Sequence, residues 1–350
     1  MSVLELDGSY GEGGGQILRM AVALSALTST PVRITNIREK RKNPGLAAQH
    51  LTAVDAVATL CNASTDGLAI GSRTLEFHPG PLRSGSFAFD VGTAGSITLV
   101  LQACLPAAFW AGDVTLTIRG GTDVPWSPPL DYFGHVFLGL LRKMGARAKV
   151  DVAMRGYYPR GGGLVRVEVE RVREWTPLVL PKRGDIERIA GRAHASNLPE
   201  DVVKRMKSGA LQPLSRYMAV RVHDETLGPD RAVGPGGAIV LWAETSETIL
   251  GASALAEKGK RAEKVGEEAA IALLNDINSG ATVDTRAADQ VLVYAAMASG
   301  PSEFLVREVT EHTRTMMWLL GSFLGTQFNI ASLGLLSRVS ITPARSSTLR

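Results

Sequence analysis

The stretch Asp7-Gly-Ser-Tyr-Gly-Glu-Gly-Gly-Gly-Gln-Ile-Leu-Arg19 decides how the chain is read. An alternating run, Val3-Leu-Glu-Leu6, leads into it and predicts a strand. Gly8, Gly11, Gly13, Gly14 and Gly15 are too dense for the interior of any element, and from Gln16 the pattern turns helical and apolar through Leu24. Strand, glycine turn and helix aim backbone N–H groups and the positive end of a helix dipole at one point, a seat for an anion. Arg19 adds a fixed charge one turn in. Glu12 is the odd member, a carboxylate where an anion belongs. It either helps hold a cation or only complements the helix dipole. The stretch lacks the Lys-Ser/Thr that closes a P-loop and the last glycine of a dinucleotide fingerprint, so a tight turn with nothing bound stays open on spacing alone.

At 350 residues the chain is long enough for two domains, and 45% apolar side chains supply their cores. Lys+Arg 38 against Asp+Glu 34 leaves a net charge of +4, which favours an acidic partner only mildly. Cys61 and Cys104, the only cysteines, lie in apolar helical runs, against a disulfide framework or a cysteine zinc site. The start carries no charged-then-apolar leader, and no run nears the roughly 20 apolar residues of a membrane span. Leu99–Trp110 comes nearest, but holds Gln102 and Pro106. The expectation is a soluble, cytoplasmic protein.

Downstream, Pro31–Ile37 reads as a strand, Asn43-Pro-Gly45 as a turn and Leu46–Leu60 as a helix. A second strand–turn–helix–strand unit follows about 80 residues after the first: Phe87–Asp90, Val91–Ser96, Ile97–Ala108 and Val114–Ile118. It ends in the proline-rich turn Gly120–Pro129, before an amphipathic helix Tyr132–Met144. A fainter third copy places a strand at Phe304–Arg307, a turn at Glu308–Thr315, a helix at Met316–Leu324 and a strand at Phe328–Ile330. In this alignment Glu12, Gly95-Ser96 and Glu311-His312 occupy like positions. Between the second and third copies the composition becomes more charged, with strands at Ile186–Ala195 and Ala238–Glu244 and helices at Asp201–Met218 and Glu257–Ile277. The loop Leu227–Gly237 reads as mobile. The expected division is therefore a discontinuous domain, 1–181 with 282–350, and an inserted α+β domain, 182–281.

His312 is the titratable residue of most interest, in Thr310-Glu-His-Thr-Arg-Thr315. A neutral imidazole at a helix start suits a nucleophile toward phosphorus or a metal ligand, and equally a ring bonded to a backbone carbonyl. Arg38, Lys40, Arg41 and Lys42 form a basic turn on the same rim as Arg19. Convergent arginines suit bidentate phosphate binding, although a solvated charge run explains them too. Gln102 in an apolar helix either satisfies a buried backbone group or reads a base edge. Asp289-Gln290 poses the same question, and Gln49-His50 and Arg160 are ambiguous.

Taken in order, these segments resemble the RNA 3′-terminal phosphate cyclase family. The residues that carry the resemblance are Gly11-Glu-Gly-Gly-Gly-Gln-Ile-Leu-Arg19, Arg38 to Val54 with Asn43-Pro-Gly-Leu46, Gly95-Ser96 to Gln102, and Gly120-Gly-Thr-Asp to Pro129. Tyr158-Pro-Arg-Gly-Gly-Gly163, Ala288-Asp-Gln290 and His312 complete them. The resemblance implies an α+β fold of three βαβαββ-like units, related to the enolpyruvyl transferases, plus a smaller insert. It implies ATP-dependent closure of an RNA 3′-phosphate onto the adjacent 2′-hydroxyl, through covalent His312–AMP and RNA-adenylate intermediates. By the same resemblance Glu12 belongs to a divalent metal site, Mg or Mn. Arg19, Arg38, Arg41, Gln49 and His50 attend the RNA end. Gln102, Pro129, Arg286, Ala287, Ala288, Asp289 and Gln290 form the nucleotide pocket. RNA 3′-phosphate ends are the implied partners, with no DNA specificity and no membrane, and a homodimer is left open. Arg286 stands where the family often has an aromatic, and its guanidinium could stack on adenine. Met316 stands where an Asn often follows. The rivals are a non-catalytic ribosome-assembly binding protein, against which His312 argues, and an enolpyruvyl transferase, which shares only architecture.

Overall fold

The computed structural model describes residues 3–344, which four four-stranded sheets organise. β1 (Leu4–Asp7), α1 (Gly15–Thr28), β2 (Val32–Thr35), α2 (Ala48–Leu60), β3 (Ser64–Asp66) and β4 (Leu75–His78) make the first unit, with sheet order β1-β2-β4-β3. β1 and β2 pair in parallel, so α1 crosses between them; β4 pairs antiparallel with β2 and β3. The second unit repeats the plan with β5 (Gly85–Asp90), α3 (Ile97–Ala111), β6 (Val114–Gly120), a helical run, β7 (Ala148–Met154) and β8 (Gly163–Val169), order β5-β6-β8-β7. That run is α4 (Leu130–Tyr132), a π-helical turn (Phe133–Phe137) and α5 (Leu138–Lys143). It is less amphipathic than its sequence suggests: Leu130, Tyr132, Phe133, Val136, Phe137, Leu140 and Leu141 are all buried.

β9 (Val179–Leu180) opens a third unit, and the chain then leaves it. β10 (Ile186–Ser196), α6 (Glu200–Leu211), β11 (Val220–Leu227), β12 (Gly236–Thr245), β13 (Ile249–Leu255) and α7 (Ala262–Ser279) build a sheet of order β11-β10-β12-β13. This block has its own buried cluster, with Ile189, Met206, Ile239, Leu241 and Leu273 at its centre. α8 (Ala287–Ala296), β14 (Ser302–Val306), α9 (Glu311–Leu324), β15 (Gln327–Leu333) and β16 (Leu336–Thr342) then complete the third unit. Read from β9, its order β9-β14-β16-β15 is that of the first two.

The third copy is therefore out of phase with the sequence alignment. Its first strand is β9, not Phe304–Arg307, and the counterpart of α1 and α3 is α8. α9 instead corresponds to α2, the second helix of the first unit. His312 is thus the counterpart of the Gln49–His50 region, not of Glu12. Two of the expected charged helices are shorter than their patterns, ending at Leu211 and starting at Ala262. The loop after β11 is pinned: Arg155 N donates to Arg231 O at 2.8 Å, and Ala232 is fully buried.

In the centre α1 packs on α3 and α9, and α8 packs on the same two helices. The sheets wrap this helical middle with one face in and one out, as the alternating exposure of β7 and β8 records. The two cysteines are free and buried. Among the described residues no helix is long and apolar enough to cross a membrane.

Candidate active site

The starts of α1 and α9 meet. Tyr10 of the glycine turn stacks on Trp318 of α9, ring centroids 4.1 Å apart and 19° between planes. α9 begins at Glu311, five residues before the expected Met316, because Thr310 caps it: its Oγ1 accepts from Thr313 N at 3.2 Å. His312 therefore stands in the first helical turn, half exposed, with Met316 buried behind it.

A chain of polar contacts runs through His312. Arg41 Nη2 lies 3.5 Å from Glu12 Oε2, and the same oxygen lies 3.1 Å from His312 Nε2. On its other side His312 Nδ1 meets Gln16 Oε1 at 3.0 Å, while Gln16 Nε2 donates to Asp289 Oδ2 at 2.7 Å. An ionised carboxylate only accepts, so Asp289 turns the Gln16 amide to show its oxygen to the ring. Gln16 Oε1 is thus placed to accept Nδ1–H, while Nε2 faces Glu12 Oε2 and presents a lone pair to a ligand only when that carboxylate turns away. Burial, its largest influence, raises the Asp289 carboxyl to about 7, against the opposing charge of Arg19. Gln16 was not among the residues singled out from sequence. Its signal was an amide in the first turn of an otherwise apolar helix, the feature that drew attention to Gln102.

The basic residues gather beside this chain. A Cβ on Gly15 would stand 2.2 Å from His50 Nε2 and 2.7 Å from Arg19 Nη1, and one on Gly14 would stand 2.9 Å from Arg41 Nη2. The glycines thus let two arginines and an imidazole close on the start of α1. Arg19 is buried, and desolvation lowers it to about 10. His50 is driven down to about 3 by burial first and by Arg19 and Arg38 second. Its Nδ1 accepts from Ala47 N at 3.2 Å, leaving Nε2–H as the outward donor. Arg38 adopts a left-handed φ of 54° and gives Nη1 to Gly45 O at 2.7 Å. Lys40 does not simply face water: Nζ donates to Gly11 O at 2.9 Å and braces the glycine turn. Gln49 Oε1 accepts from Ser96 N at 3.1 Å, so this residue joins the first unit to the start of α3.

On the far side of His312 a cavity of about 850 Å³ opens, lined by Gln16, Arg19, Gln102, Pro129, Arg286, Asp289, Gln290 and Met316, with β13 of the inserted block as a further wall. Its size lies in the range of small-ligand sites. Gln290 Nε2 donates to Arg286 O at 2.8 Å, and its buried Oε1 has no hydrogen-bond partner among the described residues. Arg286 sits over the Tyr132 ring, 5.3 Å from its centroid, and donates to Ser253 Oγ. Ala287 and Ala288 are fully buried in the core, so their side chains give the cavity no surface. They face inward because α8 packs on α3 and α9. Arg160 reaches Val233 O at 3.4 Å instead of this site.

The sequence profile of the family described as RNA 3′-terminal phosphate cyclase matches residues 10–330. A protein of Nitrosospira multiformis named RNA 3′-terminal phosphate cyclase is 53% identical over 340 residues, 97% of this chain and 96% of the relative. Similarly named proteins of Thermococcus onnurineus and Methanopyrus kandleri are 48% and 47% identical, each over 94% of this chain and 96% of the relative. The chain belongs to the RNA 3′-terminal phosphate cyclase family.

Proposed function

We propose that this protein uses ATP to convert an RNA 3′-phosphate into a 2′,3′-cyclic phosphodiester, with His312 as the nucleophile. The observation that carries the reading is the Asp289–Gln16–His312 relay, which holds the Nδ1 proton and leaves Nε2, 3.1 Å from Glu12 Oε2, as the ring nitrogen for attack once Glu12 turns to a cation. His312 Nε2 attacks the α-phosphorus of ATP and pyrophosphate leaves. An oxygen of the RNA 3′-phosphate attacks the His312-bound AMP, and the imidazole departs. The 2′-oxygen, losing its proton, attacks the activated phosphorus and expels AMP. A bare phosphate monoester is a poor electrophile with a poor leaving group, which AMP replaces. The closing step is intramolecular and gains a large effective molarity.

Arg19, Arg38 and Arg41 supply fixed positive charge for the RNA phosphate, and His50 a neutral N–H donor. Gln290 lines the cavity, and its buried, unpartnered Oε1 becomes an acceptor for an exocyclic amine such as that of adenine if the amide turns outward, with Gln102 and Pro129 as neighbouring walls. Glu12 fits a divalent cation, Mg or Mn: it is a hard oxygen donor whose contacts to Arg41 and His312 both use Oε2, leaving Oε1 available. Bound there with ATP phosphates, such an ion would neutralise charge on the phosphoryl oxygens.

The division into 1–181 with 282–350 and an inserted 182–281 belongs to the same reading, supported by the separate buried cluster of the block. Kinship with the enolpyruvyl transferases is supported by the thrice-repeated sheet order. The test is incubation with ATP labelled at the α-phosphate and a divalent cation. An acid-labile protein–AMP adduct that vanishes in His312→Ala is expected; no adduct, or one that survives the substitution, would sink the mechanism.

A further inference from the structure

Outside the site just described, a buried charge cluster lies where the inserted block meets the second unit. Asp123, Asp131, Arg155, Tyr157 and His194 are all buried, with His194 wholly inaccessible. Arg155 Nη1 donates to Asp123 Oδ2 at 3.2 Å, and its Nη2 lies 2.7 Å from Asp131 Oδ2. His194, on β10 of the block, places Nε2 3.6 Å from Asp123 Oδ1 and 3.4 Å from Asp131 Oδ2, and meets the Tyr157 hydroxyl through Nδ1 at 2.7 Å. Arg192 of the same strand approaches Asp131 Oδ1 at 3.4 Å. One ligand atom from each of Asp123, Asp131 and His194 lies within 4.8 Å of the others, and Asp123 Oδ1, Asp131 Oδ2 and His194 Nε2 have no hydrogen-bond partner of good geometry.

Such convergence also suits a metal ion, but charge decides against one. The two carboxylates are already matched by the Arg155 and Arg192 guanidiniums, and Arg155 bridges them directly. A dication would leave excess positive charge in a buried place, whereas the His194 ring, 3.4 and 3.6 Å from the two oxygens, adds at most one charge shared between them.

The two carboxylates bracket one short loop. Asp123 precedes and Asp131 follows the segment 124–130, whose Pro125 to Pro129 line the cavity beside His312. The loop is closed on itself by Leu130 N donating to Thr122 O at 3.1 Å, and its inner side is tied by Thr98 Oγ1 to Pro128 O at 2.8 Å. At its tip Trp126 is held in a left-handed conformation, φ 62°, and the residue is 97% exposed. A tryptophan adopts that backbone only when its surroundings impose it.

We propose that His194 and Arg155 form a clasp through which the inserted block sets the nucleotide wall of the cavity, making His194 a positioning residue for ATP. This rests on the reading of the cavity as the nucleotide site. His194→Leu removes the N–H from both carboxylates and the partner of Tyr157. His194→Gln can still donate to the carboxylates and accept from Tyr157. Tyr157→Phe deletes one bond and no charge.

The measurement is the ATP concentration for half-maximal adduct formation, with the rate at saturation recorded separately. The clasp predicts at least a tenfold rise in that concentration for His194→Leu, about threefold for Tyr157→Phe and less for His194→Gln, with saturating rates within twofold. Exchange of the Leu130 amide should quicken in the same order. An unchanged ATP requirement in folded His194→Leu and Tyr157→Phe overturns the proposal. So does a metal ion that survives dialysis against a chelator in the wild type and is lost in His194→Leu. Absence of any adduct in the wild type would instead count against the functional reading on which the clasp rests.

Discussion

Two histidines occupy the same topological place and do opposite things. His50 stands in the first turn of α2 and His312 in the first turn of α9, each the second helix of its unit. His50 is closed in by Arg19 and Arg38, its Nδ1 spent on Ala47 N, and burial and those charges keep it neutral down to a pH of about 3. It can offer one N–H donor and no lone pair. His312 is half exposed, with Nδ1 committed to Gln16 and Nε2 facing only the part-exposed Glu12 carboxylate. Repetition of the fold supplies the place; the neighbours decide which ring nitrogen is free.

The sharpest way to break this comparison is to remove each ring in turn. On the proposed reading His312→Ala removes the nucleophile and should lower adduct formation by about a thousandfold or more. His50→Ala should leave the adduct rate within about threefold and weaken cyclisation of a 3′-phosphorylated oligomer instead. Equal loss of adduct in both variants would erase the distinction. Arg41→Ala separates the steps next: cyclisation should fall by about a hundredfold while self-adenylation largely persists. A matching loss in both assays would contradict a role at the RNA end. Gln16→Leu should slow adduct formation by about tenfold, because His312 then samples the wrong tautomer. Gln16→Glu, which still accepts from Nδ1–H, should recover part of that loss.

The smallest effect is a pH profile. With the Asp289 carboxyl at about 7, its ionised form, which orients Gln16, grows as pH rises through that value. Adduct formation should therefore increase across neutrality, and the increase should flatten in Asp289→Asn. The same raised carboxyl works against stability in the opposite sense. Between the usual carboxyl value near 4 and about 7 the folded protein holds the proton that the unfolded chain releases, so this contribution declines as pH rises. Denaturation midpoints of wild type and Asp289→Asn at pH 5 and pH 8 measure it.

Much of the architecture can be read along the chain because it is local. The glycine turn, α1, α3 and the β6 strand announce themselves by spacing, and Ser96 falls where the α3 cap is, whereas the Thr310 cap starts α9 five residues before the apolar pattern does. The phase of the third unit cannot be read that way. Its first strand, β9, is two residues long, and over a hundred residues separate it from the helix that should follow, so pattern matching slid to the next strand and helix. In the site, Arg19, Gln102 and His312 stood out as polar groups in structured runs, whereas Gln16 gained its meaning only from Asp289, 273 positions away. The clasp is harder still. Its members come from four separate stretches, and its one local signal is His194, an imidazole among the small apolar residues of β10.

The split of the third unit also orders events during folding. β9 cannot pair with β14 until a chain of more than a hundred residues has closed, a contact whose entropic cost grows with the logarithm of the loop and whose formation is slow. Pre-folding of β10 to α7 shortens that search, because a compact body brings its two ends together far more often than an open coil. On this argument the inserted block would act as a tether for its host, and the third unit, whose α9 carries His312, would close after it.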